Sequence, residues 1–207
     1  MSSTPIVVIP HVLDGLRNET VEAVYEQWPG ALLHPLRSDD PYAYADAIRF
    51  YWRTLGDLIV CEQDVVPPPG AIRRLIACDC AWCTHRHWLG TRYHDDTLGL
   101  AKFSWALRRR LPDLADAALA REDPRQWVRK GWTGLPADTN EATLNRRGRR
   151  ACVRPDASEA AASFAAGRQV STVDWRICDS MLARQLRGAH VLPHVHEPPT
   201  HHLRRFQ

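Results

Sequence analysis

Apolar positions along this chain fall into two patterns that take turns, short unbroken runs and longer stripes with a helical period. Residues 5–10, PIVVIP, form a β-branched run closed by proline, the pattern of a buried parallel strand ending at a loop. Tyr44, Ala47, Ile48, Tyr51, Trp52 and Leu55 then recur at helical spacing over 41–55, behind Ser38, Asp39 and Asp40, which offer N-cap oxygens. Through Gly56 this helix feeds Leu58–Cys61, an apolar run too short for a helix, and the prolines Pro67, Pro68 and Pro69 break whatever precedes them. Short helices are expected over 71–77 and 103–111, the second with Arg108, Arg109 and Arg110 as a solvated end. A longer one is expected over 173–186, stopped by Gly188. Between them, residues 121–170 lose the pattern. Pro, Gly, Asn and Arg dominate there, 160–166 is rich in alanine, and the stretch reads as a flexible basic excursion. Alternating strands and helices, with strands apolar on both faces, predict an α/β fold with a mostly parallel central sheet flanked by helices.

At 207 residues the chain is ordinary for one α/β domain, and a single domain over 1–207 is expected. Its formal charge of +3 is too small to announce a nucleic-acid partner by itself. No stretch approaches the roughly 18 apolar residues of a membrane span. MSSTPIVVIP also lacks the basic, apolar and small-residue segments of a secretion signal, so a cytoplasmic protein without membrane association is expected. The six cysteines are then expected as reduced thiols or metal ligands rather than disulfides.

Candidate chemistry begins where the second apolar run ends. In LIVCEQDVVPPPG, Glu62 and Asp64 follow directly on the run and so sit at a strand's carboxyl end, where α/β sheets bind ligands. Oxygen ligands of this kind suit a hard divalent cation, magnesium or manganese. Such an ion can bridge a diphosphate and neutralise the charge that builds on it as a leaving group. The same pair could instead solvate a strand end or cap the next helix.

The order of these features resembles the nucleotide-sugar-binding half of a GT-A glycosyltransferase. EQDVVPPPGA, CDCAWC, LGLAKFS, DWRICDSML and HVHEP together resemble the small phage-type enzymes, including the TET-associated ones that glycosylate 5-hydroxymethylcytosine in DNA. The resemblance spans roughly residues 5–203, interrupted by the basic excursion. It implies a single GT-A-like, Rossmann-like domain, a nucleoside-diphosphate sugar as donor, DNA as acceptor and, for a phage-encoded chain, the host cytoplasm. It implies metal ligation by Glu62 and Asp64 completed by His194 and His196, with Asp64 the safer ligand because the family's first acid is aspartate and here it is Glu62. Donor contacts are implied at Pro10, His11, Gln63, Leu98 and Gly99. Asp179 is implied as the general base, although it could equally be a surface helix residue. Trp175, one helical turn before it, is implied at the acceptor side.

Two further segments have readings of their own. Cys78, Cys80 and Cys83, with His85 and His87, form C-x-C-x2-C-x-H-x-H, which could bind zinc. So compact a run is poorly placed to supply a tetrahedron alone, since structural zinc sites generally draw ligand pairs from two separated segments. Alternatively its cysteines are small buried hydrophobes, with Trp82 in the core or lining the acceptor site. Arg146, Arg147, Arg149 and Arg150, with Arg154 close behind, can grip phosphates by forked hydrogen bonds or remain a solvated loop. Three functions stand beside the favoured one: glycosyl transfer to a protein or small-molecule hydroxyl, a non-catalytic zinc-containing nucleic-acid module, and a metal-dependent nuclease.

Overall fold

Three apolar runs set the frame of the sheet. β1 (Ile6–His11) lies between β2 (Leu32–Pro35) and β3 (Leu58–Cys61), parallel to both, and its residues alternate between the two faces of the sheet. The computed structural model describes residues 4–40, 42–89, 92–94, 98–115, 182, 183 and 185–202, and the side chains of all of these except 87–89, 92–94, 201 and 202. Within them the sheet continues through β4 (Val65–Val66), β5 (Trp82–Leu89), β6 (Arg92–His94), β7 (Leu100–Phe103) and β8 (His194–His202). The strand order is β2-β1-β3-β7-β5-β8-β4, with β6 paired to β5. The expected parallel arrangement is present in β2-β1-β3 and between β5 and β8, while the pairings β3·β7, β5·β7, β5·β6 and β4·β8 are antiparallel.

Helices α1 (Asn18–Gln27), α2 (Ala43–Trp52), α3 (Ala71–Ala77) and α4 (Trp105–Arg110) cover the two faces. On one face, Tyr44, Ile48 and Trp52 of α2, Leu107 of α4, and Leu182 and Leu186 pack on Val8, Leu58, Val60, Trp82 and Phe103. On the other, Val24 of α1 and Ala71, Ile72 and Leu75 of α3 pack on Val7, Ile9, Ile59, Cys61, Cys83 and Leu100. The parity of the strands decides which face each residue serves. The helix expected over 41–55 is α2, and α3 spans 71–77 as expected. Of the helix expected over 173–186, Leu182, Ala183, Gln185 and Leu186 are described and are helical, and the helix runs on to Gly188. The helix expected to start at Phe103 starts at Trp105, because Leu100–Phe103 is a strand and Ser104 caps α4, accepting from the Leu107 N–H at 3.1 Å. No helix among the described residues is long and apolar enough to cross a membrane.

The triple-arginine end of α4 is not wholly solvated, which corrects the sequence reading. Arg108 is 1% exposed. Its Nη1 donates to the carbonyls of Tyr51 (2.7 Å), Trp52 (2.8 Å) and Thr54 (3.1 Å), and its Nη2 to that of Gly56. These carbonyls belong to the end of α2 and the turn after it, where a cation is favoured by the unpaired C=O groups. Burial lowers the Arg108 pKa to about 10 against the pull of Asp57, so the guanidinium stays charged near neutrality. Replacing it removes a charge-assisted network and takes a donor from the carbonyls of Trp52, Thr54 and Gly56, while that of Tyr51 keeps Thr54. Arg108→Ala is expected to cost about 3 kcal/mol or more in urea unfolding, whereas Arg109→Ala, at an exposed neighbour, should change it by less than about 0.5 kcal/mol.

Candidate active site and metal centre

The chain leaves β1 toward β2 on one side and returns past β1 to β3 on the other. The carboxyl ends of β1 and β3 therefore flank the point at which an open α/β sheet forms its ligand crevice. His11 closes β1, and Glu62, Gln63 and Asp64 follow β3. Both acids are buried, Glu62 at 2% and Asp64 at 6% exposure. The Tyr44 hydroxyl of α2 donates to Glu62 Oε1 at 3.5 Å, and the Gly99 carbonyl accepts from the Glu62 N–H at 2.9 Å. His11 is 8% exposed, and its Nδ1 has no hydrogen-bond partner among the described residues. Burial, with the charges of Glu62 and Asp64, pushes the Cys61 thiol well up, so it stays neutral beside them.

Gln63 ties the two strand ends together. Its side-chain oxygen accepts from the Val12 N–H at 2.8 Å, and its carbonyl accepts from the Arg17 N–H at 3.1 Å. Gly15 lies against the same amide, where a Cβ would come within 2.3 Å of Gln63 Nε2, so glycine lets the loop after β1 close over the glutamine. Gly99 is thus bonded to Glu62, Gln63 lies between the two acids, Pro10 and His11 end the neighbouring strand β1, and Leu98 is fully buried just before β7.

A second cluster stands elsewhere. Cys78, Cys83, His194 and His196 each offer one ligand atom, and these four atoms lie within 4.8 Å of one another. Cys78 and Cys83 bracket the α3–β5 connection. The parallel β5·β8 pairing sets His194 opposite Cys83 and His196 opposite His85. Cys78 Sγ is 3.2 Å from His194 Nδ1 and 3.0 Å from Cys83 Sγ. Burial alone would push the Cys78 thiol up, but hydrogen bonds with Cys83, the Cys80 backbone and His194 outweigh it and bring it down to about 7. Burial, aided by the neighbouring His85 and His194, lowers His196 to about 4, so its ring is neutral and free to ligate at ordinary pH.

Several expectations change here. His194 and His196 do not complete a site with Glu62 and Asp64. β7 and β5 separate β3 from β8, about 14 Å across the sheet. Cys61 and Cys83 also face α3, whereas Glu62, one residue on, meets Tyr44 of α2. Among the described residues, the far end of β8 is what pairs beside the acids, because His202 is the backbone partner of Val65 and His201 that of Val66. The zinc set read as Cys78, Cys80 and Cys83 loses the exposed Cys80 and gains two histidines from β8. Trp82 is fully buried, its ring stacked on Phe103 at 6.4 Å, so it has no open face to offer an acceptor. Asp179, Trp175, Arg146, Arg147, Arg149 and Arg150 lie outside the described residues.

No family model and no curated protein matches the chain. Among solved structures it is similar to A197 from STIV, at 13% identity over 52% of this chain and 68% of that one, with a TM-score of 0.42. A likeness that slight carries no conclusion about function.

The strand-end architecture turns on Gln63. Gln63→Ala leaves the Val12 N–H without its acceptor and is expected to cost about 1 kcal/mol in urea unfolding. Gln63→Met, which keeps the length and lacks the oxygen, should lose as much. Recovery of stability by methionine would assign the effect to packing instead.

Proposed function

We propose that the chain is a metal-dependent glycosyltransferase that takes a sugar from a nucleoside-diphosphate donor to a hydroxyl, with 5-hydroxymethylcytosine in DNA the favoured acceptor. The observation that carries this reading is the buried pair Glu62 and Asp64 at the β1/β3 switch point, with His11 and Gln63 beside it. The donor set fits magnesium or manganese, which are commonly held by one or two carboxylates and complete their shell with substrate phosphates and water. Bound there, such a cation would supply Lewis-acid neutralisation of the charge on the departing diphosphate.

The residues of this chain do the remainder. The loop held by Gln63 and Gly15 shapes the floor on which the nucleotide lies, and the unpartnered His11 Nδ1 is available to a donor or acceptor atom of the ligand. Asp179 takes the proton of the acceptor hydroxyl as its oxygen attacks the anomeric carbon and the bond to the diphosphate oxygen breaks. Arg146, Arg147, Arg149 and Arg150 bind DNA phosphates, and the modified base leaves the stack to reach the sheet edge.

Incubation with a panel of nucleotide sugars and acceptors, read by acceptor mass, tests the reading. With manganese present, Asp64→Asn is expected to abolish most transfer while folding normally, and Glu62→Gln to reduce it less. Asp179→Asn should keep donor binding and lower turnover by about 10²- to 10⁴-fold. Transfer that survives chelation and Asp64→Asn would remove the cation from the mechanism.

The DNA part is separable. Replacing the four arginines by alanine should flatten the logarithmic salt dependence of DNA binding by up to about 0.9 for each phosphate that is no longer neutralised, leaving donor affinity unchanged. Modification of a protein or small-molecule hydroxyl, with hydroxymethylated DNA untouched under every donor, would leave a glycosyltransferase of a different acceptor class.

A further inference from the structure

The geometry points to a zinc ion held by Cys78, Cys83, His194 and His196, a closed structural centre that fastens the last strand to the sheet. It is independent of the transferase reading and of the carboxylate pair.

The ligand chemistry and spacing both favour zinc. Two thiolates and two imidazoles are the soft and borderline donors zinc prefers. In a tetrahedral site with Zn–S about 2.3 Å and Zn–N about 2.0 Å, neighbouring ligand atoms lie about 3.3–3.8 Å apart. Here the Cys78–Cys83 sulfurs are 3.0 Å apart, Cys78 Sγ and His194 Nδ1 are 3.2 Å apart, and all four atoms fall within 4.8 Å. Those separations bracket the tetrahedral spacings, so one ion could sit among the four atoms after small shifts. The sulfur separation is well beyond the roughly 2.05 Å of a disulfide, and both cysteines are free. A second observation points the same way. His196 Nε2 is buried without a partner among the described residues, an orphaned donor or acceptor of the kind a metal would engage.

The ligands come as two pairs, one from the α3–β5 connection and one from alternate residues of β8, which project from the same face of the strand. Four protein ligands leave no open position, so the ion is structural rather than catalytic. Its effect is to join segments separated by 111 residues of chain, from Cys83 to His194. β8 in turn supplies β4 with its partner, and β4 begins at the residue after Asp64. Lys102 and His85 complete the surroundings without entering the set. Lys102 Nζ donates to the Cys78 carbonyl, and His85 stacks on His196 at 5.4 Å between ring centres, with its own Nδ1 against the Pro198 carbonyl at 3.0 Å.

The full-length protein, purified under reducing conditions without chelator, is expected to carry one zinc per chain by elemental analysis and by native mass. Exchange for cobalt should give the visible absorption of a tetrahedral ion and a thiolate charge-transfer band of two-sulfur intensity. Cys83→Ser and His194→Gln should lose both metals or, if they fail to fold, leave the test to the wild type and to Cys80→Ser. Cys80→Ser must keep one zinc and an unchanged cobalt spectrum. The proposal is overturned by a reconstituted wild type that binds no zinc, or by a cobalt spectrum without thiolate bands. A Cys80→Ser variant that alone loses the metal would overturn it equally.

Discussion

β8 comes last among the described strands, yet it lies inside the sheet, and much of the architecture depends on that placement. Its parallel pairing sets His194, Val195 and His196 beside Cys83, Thr84 and His85, and its far end sets His201 and His202 beside Val66 and Val65. A strand with two prolines and few buried apolar side chains has little hydrophobic drive of its own. What holds it is largely polar: His85 against the Pro198 carbonyl, Arg86 paired with Glu197 at 2.9 Å, Thr200 bonded to the Arg86 carbonyl at 3.5 Å, and the Cys/His cluster. β4, only two residues long, pairs with no other described strand. The position of the segment after Asp64 is therefore tied to contacts made on the other face of the sheet.

Buried charge plays a matching role at the other end of β7. Lys102 is buried, reaches the Cys78 carbonyl, and sits 3.4 Å from Asp57 Oδ2, while Asp57 Oδ1 accepts from the Trp105 N–H at 2.8 Å. Arg108, one turn farther, gathers the carbonyls at the end of α2. Each charge is satisfied by backbone carbonyls in the interior, where a carbonyl left without a donor costs about 1–3 kcal/mol. The turn from α2 into β3 is thus fixed from α4, and with it the strand that leads into Glu62 and Asp64.

The elements that sequence reading found were those where one pattern dominates. PIVVIP and LIVC are continuous and apolar because their strands are covered on both faces, and α2 shows a wide apolar stripe because it lies on the core. β5 and β8 were missed because their residues, WCTHRHWL and HVHEPPTHH, are polar, charged or proline-rich, a composition that reads as loop. α1 is mostly polar, with Thr20 and Val24 its buried residues, so its stripe is too thin to stand out. The histidines of HVHEP were read as metal ligands, but their partners could not be seen, because pairing across 111 residues leaves no trace in local spacing. Arg108 offered no signal at all, since a buried arginine and its two exposed neighbours are the same letter.

The carboxylate pair and the Cys/His cluster also differ in the kind of metal their donors would suit, and that changes what zinc content means. Glu62 and Asp64 offer only oxygen, with Glu62 meeting Tyr44 of α2, whereas the Cys/His cluster offers sulfur and imidazole on the α3 side, with β7 and β5 between. A hard, exchangeable cation and a soft, closed one can therefore coexist without competing for ligands. Read from sequence alone, tightly bound zinc would favour a nucleic-acid module over an enzyme, even though so compact a cysteine run is poorly placed to supply a tetrahedron by itself. In the fold, two of its cysteines lie with two histidines of β8 in the sheet that also carries Glu62 and Asp64, so zinc there argues for neither function. The distinction rests on whether a second, weaker metal requirement follows the carboxylates.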